Sequence, residues 1–169
     1  LPRAQLPAAV GPVREAAAQQ KDLAHALHRG GLEVIGFDVD RQKIESIAGK
    51  RNYLKHLGDS MIEDLAVSDR FEATTDFERL GGCDIIMIAV PTPLGNHNEP
   101  DLSYIRSTAE HIGRSLRPGQ LVVLESTTYP GTTRDEMLPV IMANAPASSR
   151  DLVVGEDLFV AFSPEREDP

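Results

Sequence analysis

The chain is poor in the residues that build several common kinds of site. It has no tryptophan, 5% aromatic residues and a single cysteine, Cys83, among 169 residues. One thiol cannot close an internal disulfide or supply a zinc site made of several cysteines. Placed directly before an apolar run, Cys83 reads as a small core hydrophobe rather than a reactive thiol. Basic residues are also in deficit: 17 Lys and Arg stand against 26 Asp and Glu, a formal net charge of −9. A surface of that sign repels nucleic-acid phosphates and anionic lipid, which excludes both as partners and favours a small ligand. No apolar run approaches the roughly 20 residues of a membrane span, and no basic-then-apolar leader opens the chain, so the expected location is cytoplasmic. The five histidines offer no metal pattern. His25 and His28 share a helix at i, i+3 spacing without a third ligand and read as a solvated pair, while His97 falls in a polar loop.

What is present is an alternation of strand and helix signals. Leu32 to Asp38, Ile85 to Thr92 and Leu121 to Thr128 are short runs rich in Val and Ile, each ending on polar residues. Runs with so little polar alternation read as strands covered on both faces, which means a parallel sheet flanked by helices. The spacing predicts strands over Leu32 to Phe37, Asp84 to Val90, Leu121 to Glu125 and Leu158 to Phe162. Between them, Glu15 to Arg29 has helical spacing and stops at Gly30-Gly31, and Arg41 to Ala48 is a second helix. A short helix is expected near Ile62 to Val67, and Thr75 to Glu78 fits a capping box for a brief turn. Asp101 caps a helix whose apolar face is Leu102, Ile105, Ala109, Ile112 and Leu116. Thr133-x-x-Glu136 caps another that runs towards Asn144, with a bend at Pro139. The fold class is α/β, a Rossmann-like doubly wound parallel sheet.

In such sheets ligands bind at the carboxyl ends of the strands, where the polar residues of this chain collect. Asp38 ends one strand where a dinucleotide fold places an acid against the ribose hydroxyls of NAD; the alternative is a turn former ahead of Asp40. Lys43, on the next helix, comes near the same ribose or stands as a solvated helix lysine. An acid at Asp38 disfavours NADP, whose 2′-phosphate would meet like charge. Val90-Pro91-Thr92-Pro93 fixes the backbone in extended geometry, so Thr92 presents its hydroxyl in a set direction, as a ligand wall or a stiff turn. Glu125-Ser126-Thr127-Thr128 brings three hydroxyls and a carboxylate to a third strand end. These either serve a site or satisfy loose backbone groups. Pro164 stiffens the last exit and aims Glu165 along the sheet edge, where a carboxylate can orient a water or remain an exposed loop acid.

Five ordered segments carry a resemblance: Glu33 to Asp40, Val90 to Pro93, Glu99 to Tyr104, Leu121 to Thr133, and Phe162 to Arg166. Together they resemble the UDP-glucose/GDP-mannose dehydrogenase family, and the run Glu-Ser-Thr-Thr-Tyr-Pro-Gly-Thr-Thr is most similar to its UDP-N-acetylhexosamine 6-dehydrogenase branch. The resemblance covers Gly31 to Asp168. It implies oxidation of a UDP-sugar C6 alcohol to the acid through an aldehyde, with two NAD reduced in turn, for polysaccharide precursor synthesis. By position, Asp38 and Lys43 would hold the cofactor ribose. Val90, Pro91, Thr92, Ser126 and Thr127 would line the NAD site, and Thr127 with Glu165 would orient a catalytic water. No metal is implied.

The chain departs from the family at both ends. The family's glycine-rich turn lets backbone touch the pyrophosphate, but the counted glycine positions here are Glu15, Ala17 and Gln20. Side chains there crowd the pyrophosphate, and Glu15 adds like charge. The first strand has only Leu6 to Val13 as a candidate, interrupted by Pro7 and Pro12. Residues 1–30 therefore read as an atypical N-terminal segment with the first helix of the fold, and residues 31–169 as the NAD-binding domain. The family continues into a dimer-forming helix and a sugar-nucleotide domain that supply a lysine, an asparagine and the nucleophilic cysteine, none of which Cys83 replaces. The expectation is the cofactor-binding half of a UDP-sugar dehydrogenase, inactive alone and a homo-oligomer only as a full-length protein. The alternative is a non-catalytic binding module that keeps the fold.

Overall fold

Among the described residues six parallel strands form one sheet, in the order Phe71–Thr74 (β3), Val34–Phe37 (β2), Ala9–Val10 (β1), Ile85–Ile88 (β4), Leu121–Leu124 (β5) and Phe159–Phe162 (β6). The structure, a computed structural model, describes residues 9–10, 24, 27–48, 68–94 and 99–164. Helix α1, Arg41–Ala48, follows β2; α2, Ser103–Arg114, follows β4; and α3, Leu138–Ala143, follows β5. The chain winds outward from β1 to β3 and then returns to lay β4 against β1. That reversal is the switch point of a Rossmann-type sheet, beside which such folds bind nucleotides.

The apolar runs explain the layers. Ile86, Ile88, Val122, Leu124 and Phe37 are buried together with Ile105, Ala109, Ile112 and Leu116. Ile105, Ala109 and Ile112 are the α2 positions that the helical period singles out, with Leu116 just past the helix end, and each buried Ile or Leu side chain contributes roughly 1.5–3 kcal/mol by leaving water. Gly113 lets α3 approach α2, since a Cβ there would stand 2.5 Å from the Ile141 carbonyl oxygen. Gln120 is fully buried; its Nε2 donates to the carbonyls of Leu80 at 3.0 Å and Cys83 at 2.8 Å, and its Oε1 accepts from Arg117 N–H at 2.9 Å. Cys83 is a core residue, and burial pushes its thiol up to about 11.

Several elements differ from the sequence reading. β3 was not expected, because Phe-Glu-Ala-Thr has one large apolar residue and lies at the sheet edge, where one side needs no partner. β1, Ala9–Val10, lies inside the Leu6 to Val13 candidate and between β2 and β4 as the fold requires. Asp76, not Thr75, caps the 3-10 turn Phe77–Gly82, its carboxylate accepting from Glu78 N–H at 3.1 Å. The helix expected from Thr133 to Asn144 begins as a π-helical turn, Thr132–Met137, opened by Gly131 at φ +97°. Pro139 then sits in the first turn of α3, where a missing N–H is tolerated, so no bend is needed there. His28 is buried and its Nε2 lies 2.5 Å from Ser68 Oγ, so it is not solvated as expected; His25 lies outside the described residues. So do His97, most of the Glu15 to Arg29 helix, and the helix expected near Ile62 to Val67. Among the described residues no helix is long and apolar enough to cross a membrane.

Candidate cofactor site

Strand register brings the polar residues to one rim. Thr74, Phe37, Val10, Ile88, Leu124 and Phe162 lie in one row across the sheet. The ladder continues one residue further: Asp38 N–H donates to Thr74 O at 3.3 Å, Glu125 N–H to Ile88 O at 2.7 Å, and Ser163 N–H to Leu124 O at 2.9 Å. Asp38, Ala89, Glu125 and Ser163 therefore form the next row. By the two-residue pleat, their side chains stand on the face opposite Phe37, Ile88 and Leu124. Asp38 and Glu125 are three strands apart, about 14 Å at the usual strand spacing.

At the β2 end, Asp38 is buried and doubly engaged. Its Oδ1 accepts from Asp40 N–H at 2.8 Å, and its Oδ2 pairs with Lys43 Nζ at 3.0 Å. Asp40 in turn opens α1 by accepting from Gln42 N–H at 2.9 Å. The two-acid sequence thus divides its labour, one carboxylate for the helix and the other for Lys43. That lysine is 15% exposed in its side chain and is drawn in against the strand end rather than solvated.

The exits of β4 and β5 are tied together. Ser126, buried, accepts from Val90 N–H at 3.2 Å and donates to Val90 O at 2.8 Å through the same Oγ. Thr92 Oγ1 donates to Thr127 O at 2.5 Å. These bonds replace the ladder, which is why β4 stops at Ile88 although the apolar run reaches Val90. Thr127 is exposed, and Pro91 and Thr92 are partly exposed, so the rim surface is formed by their edges. Beyond it, a cavity of about 500 Å³ is lined by Thr128, Tyr129, Pro130, Gly131, Arg134 and Phe162 among others.

Glu125 stands in the polar run singled out at the third strand end, where sequence reasoning assigned it no role of its own. Its Oε2 is shielded from solvent and has no hydrogen-bond partner, and burial pushes its carboxyl above the usual carboxylate range. An acid inside a strand-end hydroxyl run was the available signal. Of the four residues expected to converge, Asp38, Thr92 and Thr127 share the rim. Glu165 lies outside the described residues, as do Glu15, Ala17 and Gln20. Among the described residues no group of three or more His, Cys, Asp or Glu could hold a metal ion.

The profile of the UDP-glucose/GDP-mannose dehydrogenase family, NAD binding domain, matches residues 21–169. The chain belongs to this family. Its cofactor is NAD, and the acid at the end of β2 and the shielded, unpartnered oxygen at the end of β5 suit a dinucleotide laid along the rim. Protein CapL of Staphylococcus aureus is 39% identical over 137 residues, covering 81% of this chain and 30% of the relative. UDP-N-acetyl-D-glucosamine 6-dehydrogenase of Salmonella typhi is 31% identical over 137 residues, with the same shares. Among solved structures, NDP-N-acetyl-D-galactosaminuronic acid dehydrogenase from Methanosarcina mazei Go1 superposes with a TM-score of 0.83 at 27% identity, covering 99% of this chain and 36% of that one. The family member described here spans about a third of the length of these relatives.

Proposed function

We propose that the chain is the cofactor-binding part of an enzyme that oxidises the C6 alcohol of a UDP-sugar, in particular a UDP-N-acetylhexosamine, to the uronic acid for polysaccharide precursor synthesis. Relatives named as N-acetylhexosamine dehydrogenases support the substrate class, and none named by its activity favours a non-catalytic module. NAD held on this rim would supply the hydride acceptor for both oxidations at C6, alcohol to aldehyde and aldehyde to acid, and water would supply the second oxygen of the acid.

The observation that carries the reading is the single register row that takes Asp38 and the β5 exit to one rim. Asp38 and Lys43 hold the adenosine ribose, with Lys43 fixing the carboxylate's direction. Val90, Pro91 and Thr92 form a wall for the dinucleotide, and Ser126 and Thr127 hold that wall at its height through the Val90 and Thr92 bonds. Thr127 and Glu165 orient a catalytic water. In this reading residues 31–169 are the NAD-binding domain and residues 1–30 an N-terminal segment carrying its first helix. The place of work is the cytoplasm, and oligomerisation belongs to the full-length protein. Fixing the reacting atoms together in this way is the protein's share of the catalysis, the redox chemistry being the cofactor's. Titrating NAD into the chain tests the reading. Micromolar binding is the expected result, and no binding at millimolar ligand overturns it.

A further inference from the structure

Glu125 carries a cost that nothing in the described fold offsets. Several neighbouring polar groups at the β4 and β5 exits are paired among themselves: Glu125 N–H with Ile88 O, Ser126 Oγ with both Val90 backbone groups, and Thr92 Oγ1 with Thr127 O. Among the described residues, Glu125 Oε2 is the buried side-chain polar atom left without a partner. A shielded acceptor without a partner costs about 1–3 kcal/mol, and native folds seldom retain one without a use for it.

Its position suggests the use. Glu125 stands in the same row and on the same face as Asp38, three strands along the rim. If the adenosine ribose is at Asp38, the opposite end of the dinucleotide lies over β4 and β5, past the switch point. The pyrophosphate is a poor companion for a carboxyl because both carry acceptors and negative charge. The carboxamide of the nicotinamide is a good one: it offers an N–H₂ to an acceptor oxygen and a carbonyl to a protonated carboxyl. We propose that Glu125 is a positioning residue for the nicotinamide half of the cofactor, its shielded Oε2 hydrogen-bonded to the carboxamide. The upward push on the Glu125 carboxyl by burial fits this role, since the neutral form can both donate and accept. The inference rests on the NAD reading above and adds a residue to it.

The test compares NAD with ADP-ribose, which keeps the adenosine ribose and pyrophosphate but lacks the nicotinamide. Affinities of the intact chain and its variants are measured by equilibrium titration. Glu125→Ala should weaken NAD about tenfold, the worth of one hydrogen bond, and leave ADP-ribose within about twofold. Glu125→Gln, which keeps one acceptor and one donor group, should restore NAD affinity to within about threefold. ADP-ribose binding by each variant also shows that the rim is still folded. Unchanged NAD affinity in Glu125→Ala, or a parallel loss of both ligands in both variants, overturns the assignment while leaving NAD binding intact. A wild-type chain that binds neither ligand overturns the NAD reading and this assignment with it.

Discussion

Ser126 Oγ holds both backbone polar groups of Val90, accepting from the N–H at 3.2 Å and donating to the carbonyl at 2.8 Å. A side chain thus takes over from the ladder where β4 and β5 part, and Pro91 and Thr92 leave the sheet from a fixed point. Because Ser126 is buried, Ser126→Ala strands two backbone groups without water. The expected loss is about 1–3 kcal/mol in unfolding free energy, read from urea denaturation, with weaker NAD binding alongside.

Asp38 sets cofactor choice. Asp38→Ala frees Lys43 and removes the acceptor for a ribose, so NAD affinity should fall at least about tenfold. The same change removes the charge that repels a 2′-phosphate, so the ratio of NADP to NAD affinity should rise. Parallel titrations with the two cofactors measure both effects, and an unchanged ratio would count against the assignment of Asp38.

Burial raises the Glu125 carboxyl above its ordinary value, so the folded state holds that proton more tightly than the unfolded chain does. This contribution to stability is fully present below the unfolded-state value and is lost as pH rises through the folded-state value. Glu125→Gln removes it. The variant should therefore gain stability relative to the parent as pH is raised from about 4 towards neutrality, in thermal melts of the ligand-free chain.

Gly113 tests the packing of α2 on α3. An added methyl would meet the Ile141 carbonyl at 2.5 Å and Asn144 Cβ at 2.7 Å. Gly113→Ala should lower stability by roughly 1–3 kcal/mol despite alanine's better helix propensity, which denaturant midpoints would register.

The legible parts of the fold were those with a continuous apolar run or a clear helical period. Val34–Phe37, Ile85–Ile88, Leu121–Leu124 and Phe159–Phe162 announce themselves as apolar runs, and α2 by its Leu102-Ile105-Ala109-Ile112 period. β3 escaped because Phe-Glu-Ala-Thr has a single large apolar residue, whereas β6, at the other edge of the sheet, keeps a four-residue apolar run. The π-helical turn escaped because Thr133-x-x-Glu136 imitates a capping box, while the conformation is set by Gly131: a Cβ there would lie 2.6 Å from Asp135 Oδ2. At the rim, the residue types at Asp38, Thr92 and Thr127 were readable from strand ends and proline constraint. That Ser126 faces inward to Val90 and that Glu125 is left with an unpaired oxygen depend on which side of the pleat each residue occupies. The polar run Glu125 to Thr128 does not encode that by itself.

The place of β1 between β2 and β4 has a mechanical consequence. Through Val10 against Phe37, and Ala9 and Val10 against Met87 and Ile88, it joins a pair of strands to a trio. Phe71–Thr74 is the outer strand of the pair and carries no buried residue, whereas Ile86, Ile88, Val122 and Leu124 in the trio are fully buried. Backbone amides of Phe71–Thr74 should then exchange with deuterium faster than those of Ile85–Ile88 and Leu121–Leu124. A dinucleotide anchored at Asp38 and reaching β5 would straddle that join like a splint, slowing exchange most in the outer pair.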